Sequence, residues 1–156
     1  MKNFIIIILS LVLFTPLAYA DKKHGGKTIE VKISLGTKDN QMVFVPDTLT
    51  FERGKYYKLV LNNPSPDEHY FNSDAFATHI FTRKVEVMDK EGKTVAEIHG
   101  ATNGIELKPG ASVEWFFLPM TKGKNLKLYC QKKGHEGQGM IGTINIIGDL
   151  KSNNSN

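Results

Sequence analysis

Apolar and polar side chains alternate at a period of two along much of this chain, a rhythm that suits sheets and little else. Ile29, Val31, Ile33 and Leu35 alternate with Glu30, Lys32 and Ser34, so one face of the segment is apolar and the other polar. Leu49 to Phe51 comes next, before the Arg53-Gly54 turn, and Tyr56 to Asn63 follows that turn. Thr82 to Val87, Thr94 to Ile98 and Ile105 to Leu107 continue the series. Pro109-Gly110 is a turn leading into Ser112 to Pro119, and Asn125 to Tyr129 and Gly142 to Ile147 close it. Helical periodicity is confined to Ser73 to Phe81, where Ser73 or Asp74 caps a two-turn helix that decorates the space between strands. Many short strands with Gly and Pro turns predict an all-β sandwich with a small helical insertion and no second domain. Trp115, Phe116 and Phe117 are assigned to its core.

The N-terminus reads as an export signal. Lys2 precedes an almost unbroken apolar run from Phe4 to Phe14, Pro16 ends the run, and Ala18-Tyr19-Ala20 places small residues at a cleavage site. That run is shorter than the roughly 18 apolar residues of a membrane helix. The residue at the expected new N-terminus is Asp21 rather than cysteine, which excludes a bacterial lipid anchor there. Cleavage after Ala20 makes the expected product periplasmic, with no membrane span remaining. The organisation expected is a signal peptide over 1–20, a flexible leader over 21–27, one folded domain over 28–148 and a disordered tail over 149–156. Losing Lys2 takes the formal charge from +4 to +3. So mild an excess, without an aromatic and basic strip, argues against a nucleic-acid partner.

Exported proteins use cysteines in pairs, yet Cys130 is alone. It stands in Tyr129-Cys130-Gln131-Lys132-Lys133-Gly134-His135-Glu136-Gly137-Gln138-Gly139-Met140, five residues before a histidine that stands five before a methionine. A mononuclear electron-transfer copper site takes two imidazoles and a thiolate in a plane, with a weak axial thioether. Thiolate and thioether suit Cu(I), imidazole suits both oxidation states, and an intermediate geometry rearranges little on electron transfer. Cys130 ends a strand, and Gly134, Gly137 and Gly139 allow the chain to fold back so that His135 and Met140 converge on one point. The competing account is a free buried thiol with a core methionine and a surface histidine.

The order of strand-end Cys130, His135, Met140 and a closing strand resembles the copper loop of the cupredoxins, the blue copper proteins, with a spacing most like the rusticyanin type. The resemblance extends upstream, where Asn40 to Asn63 is similar to the cupredoxin segment containing an apolar-x-Pro stretch, a strand, a Gly turn and a strand ending in Asn. It implies a Greek-key β-sandwich and one mononuclear type 1 copper ion. It also implies that the first histidine ligand follows that Asn, in a turn with Pro. Asn62-Asn63-Pro64-Ser65-Pro66-Asp67-Glu68-His69 fits the description, so His69 is favoured over His79, which lies in the expected helix. His24, in the leader, and His99, at a strand end, are set aside. The metal set is thus His69, Cys130, His135 and Met140. Many cupredoxins place Asn or Ser after the first histidine; here it is Tyr70. Its backbone N–H remains able to donate to the Cys130 sulfur, and a side-chain lock between the ligand loops falls to Asn62 or Asn63.

The leading function is a monomeric carrier of single electrons between redox proteins such as a cytochrome and a terminal oxidase. Four protein donors leave no open position for a substrate, which argues against an enzyme. The resemblance implies electron exit through the imidazole edge of His135; Lys132 and Lys133, in the same loop, either bias docking toward an acidic partner or form a solvated pair that aids solubility. Copper delivery or buffering is the alternative, because the same donors suit Cu(I) transfer. A thiol enzyme is disfavoured, since no helix N-terminus is expected at Cys130 and no oxyanion hole is evident. A binuclear copper centre would need a second cysteine.

Overall fold

The computed structural model describes residues 27–148; the expected signal peptide, nearly all of the leader and the tail lie outside the described residues. In chain order the elements are β1 (Ile29–Leu35), β2 (Phe44–Val45), β3 (Thr48–Glu52), β4 (Tyr57–Asn62), β5 (His69–Asn72), α1 (Asp74–His79), β6 (Ile80–Met88), β7 (Thr94–Ile98), β8 (Gly104–Leu107), β9 (Ser112–Pro119), β10 (Gly123–Tyr129) and β11 (Ile141–Ile147). They form a six-stranded sheet in the order β2-β1-β4-β9-β6-β7 and a five-stranded sheet in the order β3-β11-β10-β5-β8. The result is the expected all-β sandwich with one small helix. Two neighbouring pairs, β1 with β4 and β3 with β11, are parallel, so neither pair is a hairpin. The Pro109-Gly110 turn likewise makes no hairpin: it carries the chain from β8 in one sheet to β9 in the other.

β9 shows why the period-two rhythm dictates this architecture. Val113, Trp115, Phe117 and Pro119 are buried on its inner face, and the residues between them are half-buried on the outer one. Phe116 therefore belongs outside the core, correcting its assignment above. Its ring stacks near Tyr56 at 6.5 Å, with the Lys84 ammonium 5.3 Å from its centroid. Inside, Phe51 and Phe117 meet edge to face at 5.1 Å, and Phe76 and Phe117 do so at 5.2 Å. Such offsets suit the aromatic quadrupole.

Phe76 comes from α1. Ser73 caps this helix by accepting the Phe76 N–H on its hydroxyl oxygen at 3.3 Å. The helix is a structural plug rather than a decoration, because Phe76 is fully buried among Phe51, Trp115 and Phe117. Truncating a fully enclosed aromatic removes its transfer free energy and leaves a cavity. Phe76→Ala is therefore expected to lower the unfolding free energy by about 3–5 kcal/mol. Phe116→Ala, on the open face, should cost less than half as much; urea denaturation of both variants against the parent measures the difference.

Candidate metal centre

His69 opens β5 and is held from both sides. The turn before it contains Pro64 and Pro66, which lack N–H groups, and its remaining donors are satisfied locally. Asn63 Oδ1 accepts the Ser65 N–H at 2.9 Å, Ser65 Oγ accepts the Asp67 N–H at 3.1 Å, and Asp67 Oδ1 accepts the Glu68 N–H at 3.0 Å. Asn63 Nδ2 donates to the carbonyls of Asp67 and Leu107, at 2.7 and 2.9 Å, so the turn is tied to β8. On the far side, Gly36 presses its backbone against the His69 ring: a Cβ there would lie 2.5 Å from Nε2.

Cys130 follows β10 and is fully buried. Its backbone N–H donates to the Met140 carbonyl at 3.2 Å, and the Met140 N–H donates to the His135 carbonyl at 3.0 Å. The loop between them coils through bonds from the His135 N–H to Lys132 and from the Gln138 N–H to Gly134. Gly134 and Gly139 have φ of +89° and +100°, a region that side chains disfavour. Gly137 has no such conformation, so two of the three loop glycines carry the reversal. Met140 is fully buried at the end of this loop, next to β11.

The two segments converge. His69 Nδ1 lies 3.2 Å from His135 Nδ1, and Cys130 Sγ lies 3.6 Å from the same nitrogen of His135. The donor atoms of His69, Cys130 and His135 all fall within 4.8 Å of one another, and all three residues are buried. The Tyr70 backbone N–H donates to Cys130 Sγ at 3.3 Å, as expected. Burial, and then the positive charge His135 can carry, push the His69 pKa below its ordinary value. A neutral imidazole with a free lone pair is the form that binds a metal. A cation with bonds of about 2.0–2.3 Å to nitrogen and sulfur, at the centre of a triangle, sets its donors roughly 3.5–4 Å apart. Separations of 3.2 and 3.6 Å, with all three donor atoms within 4.8 Å, lie close to that spacing, and two imidazole nitrogens beside a soft sulfur fit one type 1 copper ion.

The other histidines stand apart. His79 donates from Nδ1 to the Ala75 carbonyl at 2.6 Å, in the last turn of α1. His99 is exposed, 3.4 Å from Glu97; His24 lies outside the described residues.

The lock between the ligand loops is neither Asn62 nor Asn63. Asn62 Oδ1 accepts from Ser34 Oγ, and Asn63 serves its own turn and β8. Asp67 bridges the loops instead. Its Oδ1 takes Lys132 Nζ, and its Oδ2 lies 3.5 Å from His135 Nε2. Lys132 holds the Asp67 carboxyl below the usual carboxylate range, and Asp67 raises the lysine in turn. His135 is only 4% exposed, so its edge faces this pair rather than open solvent. Sequence reasoning missed Asp67 and Gly36. An acidic residue two positions before His69 was a visible signal, whereas nothing local marks Gly36.

Comparison with known proteins agrees with this geometry. The family model described as copper binding proteins of the plastocyanin/azurin family matches residues 31–147. No curated protein matches the sequence. Among solved structures, a multicopper oxidase from Campylobacter jejuni is similar at 17% identity and a TM-score of 0.53, covering 93% of this chain and 34% of its own. A copper nitrite reductase from Nitrosomonas europaea is similar at 14% identity and a TM-score of 0.55, covering 83% of this chain and 53% of its own. Auracyanin A, a "blue" copper protein from Chloroflexus aurantiacus, matches at 14% identity and a TM-score of 0.49, covering 78% of this chain and 100% of its own. At such identities the first two likenesses show the fold alone, and this chain spans about a third of the Campylobacter protein's length.

Gly36 makes the fit testable. Its φ of +76° is one that a side chain occupies only at a cost of about 1–2 kcal/mol. The added methyl would also push on the His69 ring. Gly36→Ala is expected to lower apo-protein stability by that amount and copper affinity by roughly 10-fold or more, the scale on which groups orienting a metal ligand act. Thermal unfolding and titration against a competing chelator measure the two effects.

Proposed function

The chain belongs to the plastocyanin/azurin family of copper-binding proteins, and from that membership we propose that it carries single electrons as a type 1 copper protein. His69 Nδ1, His135 Nδ1, Cys130 Sγ and the Met140 thioether would hold the ion, in a loop of the rusticyanin type. The observation that carries this reading is the buried triangle of two imidazole nitrogens and one sulfur, all within 4.8 Å. Copper, when bound, supplies a one-electron couple between Cu(II) and Cu(I).

The protein's part is to keep the donors where both oxidation states accept them. The Tyr70 N–H withdraws charge from the Cys130 sulfur through its 3.3 Å bond. The Asn63 network fixes the backbone that leads into His69. The bonds of the 130–140 loop hold Cys130 and His135 in one frame. Donors locked in this way need little reorganisation when an electron arrives or leaves. That favours electron transfer over copper delivery, which calls for loosely held ligands. Four protein donors would leave no position for a substrate, so the reading is of a carrier and not an enzyme.

Export to the periplasm by residues 1–20, a folded unit over 28–148 and action as a monomer belong to the same reading. Its partners are redox proteins such as a cytochrome or a terminal oxidase. Lys132 is engaged by Asp67, with Glu68 3.8 Å away, so the exposed Lys133 is the loop cation that faces outward toward a partner.

The test is spectroscopic. On adding Cu(II), the purified protein should show an intense visible thiolate-to-copper band and narrow copper hyperfine splitting, and it should cycle reversibly at an electrode. His69→Ala should abolish the band, while His79→Ala should leave it in place. A colourless copper-bound protein, or a blue site indifferent to His69, would overturn the assignment.

A further inference from the structure

The outer nitrogens of the two imidazoles meet opposite surroundings. His69 Nε2 is buried without a hydrogen-bond partner and faces the backbone of Gly36. His135 Nε2 faces a carboxylate, with Asp67 Oδ2 at 3.5 Å. The other oxygen of that carboxylate takes Lys132 Nζ and the Glu68 N–H. Asp67 stands two residues before His69 and Lys132 stands three before His135, so one ion pair clasps both imidazole-bearing segments. The Asp67 and Lys132 side chains are themselves only 33% and 28% exposed, which limits screening by water.

We propose that Asp67 is a positioning residue for the copper site: it orients His135 from the Nε2 edge and favours the oxidised metal, with Lys132 as the opposing charge. The inference rests on the copper-carrier reading above. An imidazole that gives its Nδ1 lone pair to a metal keeps its proton on Nε2, and His135 Nε2 lies 3.5 Å from Asp67 Oδ2. A carboxylate behind a ligating histidine fixes the ring and makes the metal-bound nitrogen a stronger donor. Reduction adds one electron to the site and lowers its positive charge by one, so a fixed anion beside the ligand disfavours it and lowers the reduction potential. Lys132, bound to the outer oxygen, offsets part of that charge. The two residues should therefore act with opposite sign on the same metal, a pattern that packing alone does not produce.

The experiment compares Asp67→Asn, Asp67→Glu and Lys132→Met with the parent. Copper is the only added ligand; voltammetry gives the potential, and chelator competition gives Cu(II) and Cu(I) affinities separately. Asp67→Asn should raise the potential and weaken Cu(II) binding about 10–100-fold, with a smaller loss for Cu(I). Lys132→Met should lower the potential and strengthen Cu(II) binding relative to Cu(I). Asp67→Glu, which keeps the charge, should lie nearer the parent. Glu91→Gln, an equal charge change in the exposed turn between β6 and β7, should leave the potential unmoved. If Asp67→Asn does not fold, the direction of the Lys132→Met shift decides the matter. A blue parent whose Asp67 and Lys132 variants shift together, or lose both affinities equally, overturns this role alone. A parent that binds no copper overturns the carrier reading with it.

Discussion

Two imidazole nitrogens 3.2 Å apart beside a sulfur, all out of contact with water, do not stay together of their own accord. Their lone pairs repel, and burial denies each the hydrogen bonds it would make in solvent. Only a proton or a cation between them relieves the conflict, so the surrounding fold has to hold the donors in place when neither is present. Much of the local structure is understandable as a response to that demand.

The sandwich answers it by anchoring both donor segments to strands. His69 begins β5 and Cys130 follows β10, and these two strands are neighbours in the five-stranded sheet. Each donor leaves its strand into a turn whose backbone groups are already bonded: the Asn63–Ser65–Asp67 chain on one side and the coiled 130–140 loop on the other. The aromatic cluster below, with Phe76 inserted from α1, gives both strands a packed floor.

This architecture does not by itself select an activity. The same sandwich recurs in parts of an oxidase and a reductase much longer than this chain. What distinguishes one use from another is the set of side chains around the donors. Here those surroundings are asymmetric. One imidazole backs onto bare glycine and the other onto a carboxylate held by a lysine. On the copper-carrier reading proposed above, such differences would set how much each oxidation state is favoured, and they arise from residues outside the proposed donor set.

Period-two alternation was enough to foresee the strands, because a half-buried strand writes its two faces into consecutive residues. β1 and β9 occur where that pattern lay. It was silent on β5, since His69–Asn72 is almost wholly buried and does not alternate. It also misjudged Phe116, because an aromatic run does not say which ring turns inward. The lone cysteine and its spacing to His135 and Met140 pointed to copper through donor chemistry, which is local. Which chain segment would meet that loop was a matter of contact. Gly36 reaches His69 across 33 residues and Asp67 reaches Lys132 across 65. The sequence by itself thus determined the sheet rhythm and the donor loop, each carried by neighbours along the chain. Tertiary structure alone decided what stands behind each imidazole, because Gly36 meets His69 only when the two sheets close on one another, and Asp67 meets Lys132 and His135 only when β5 pairs with β10.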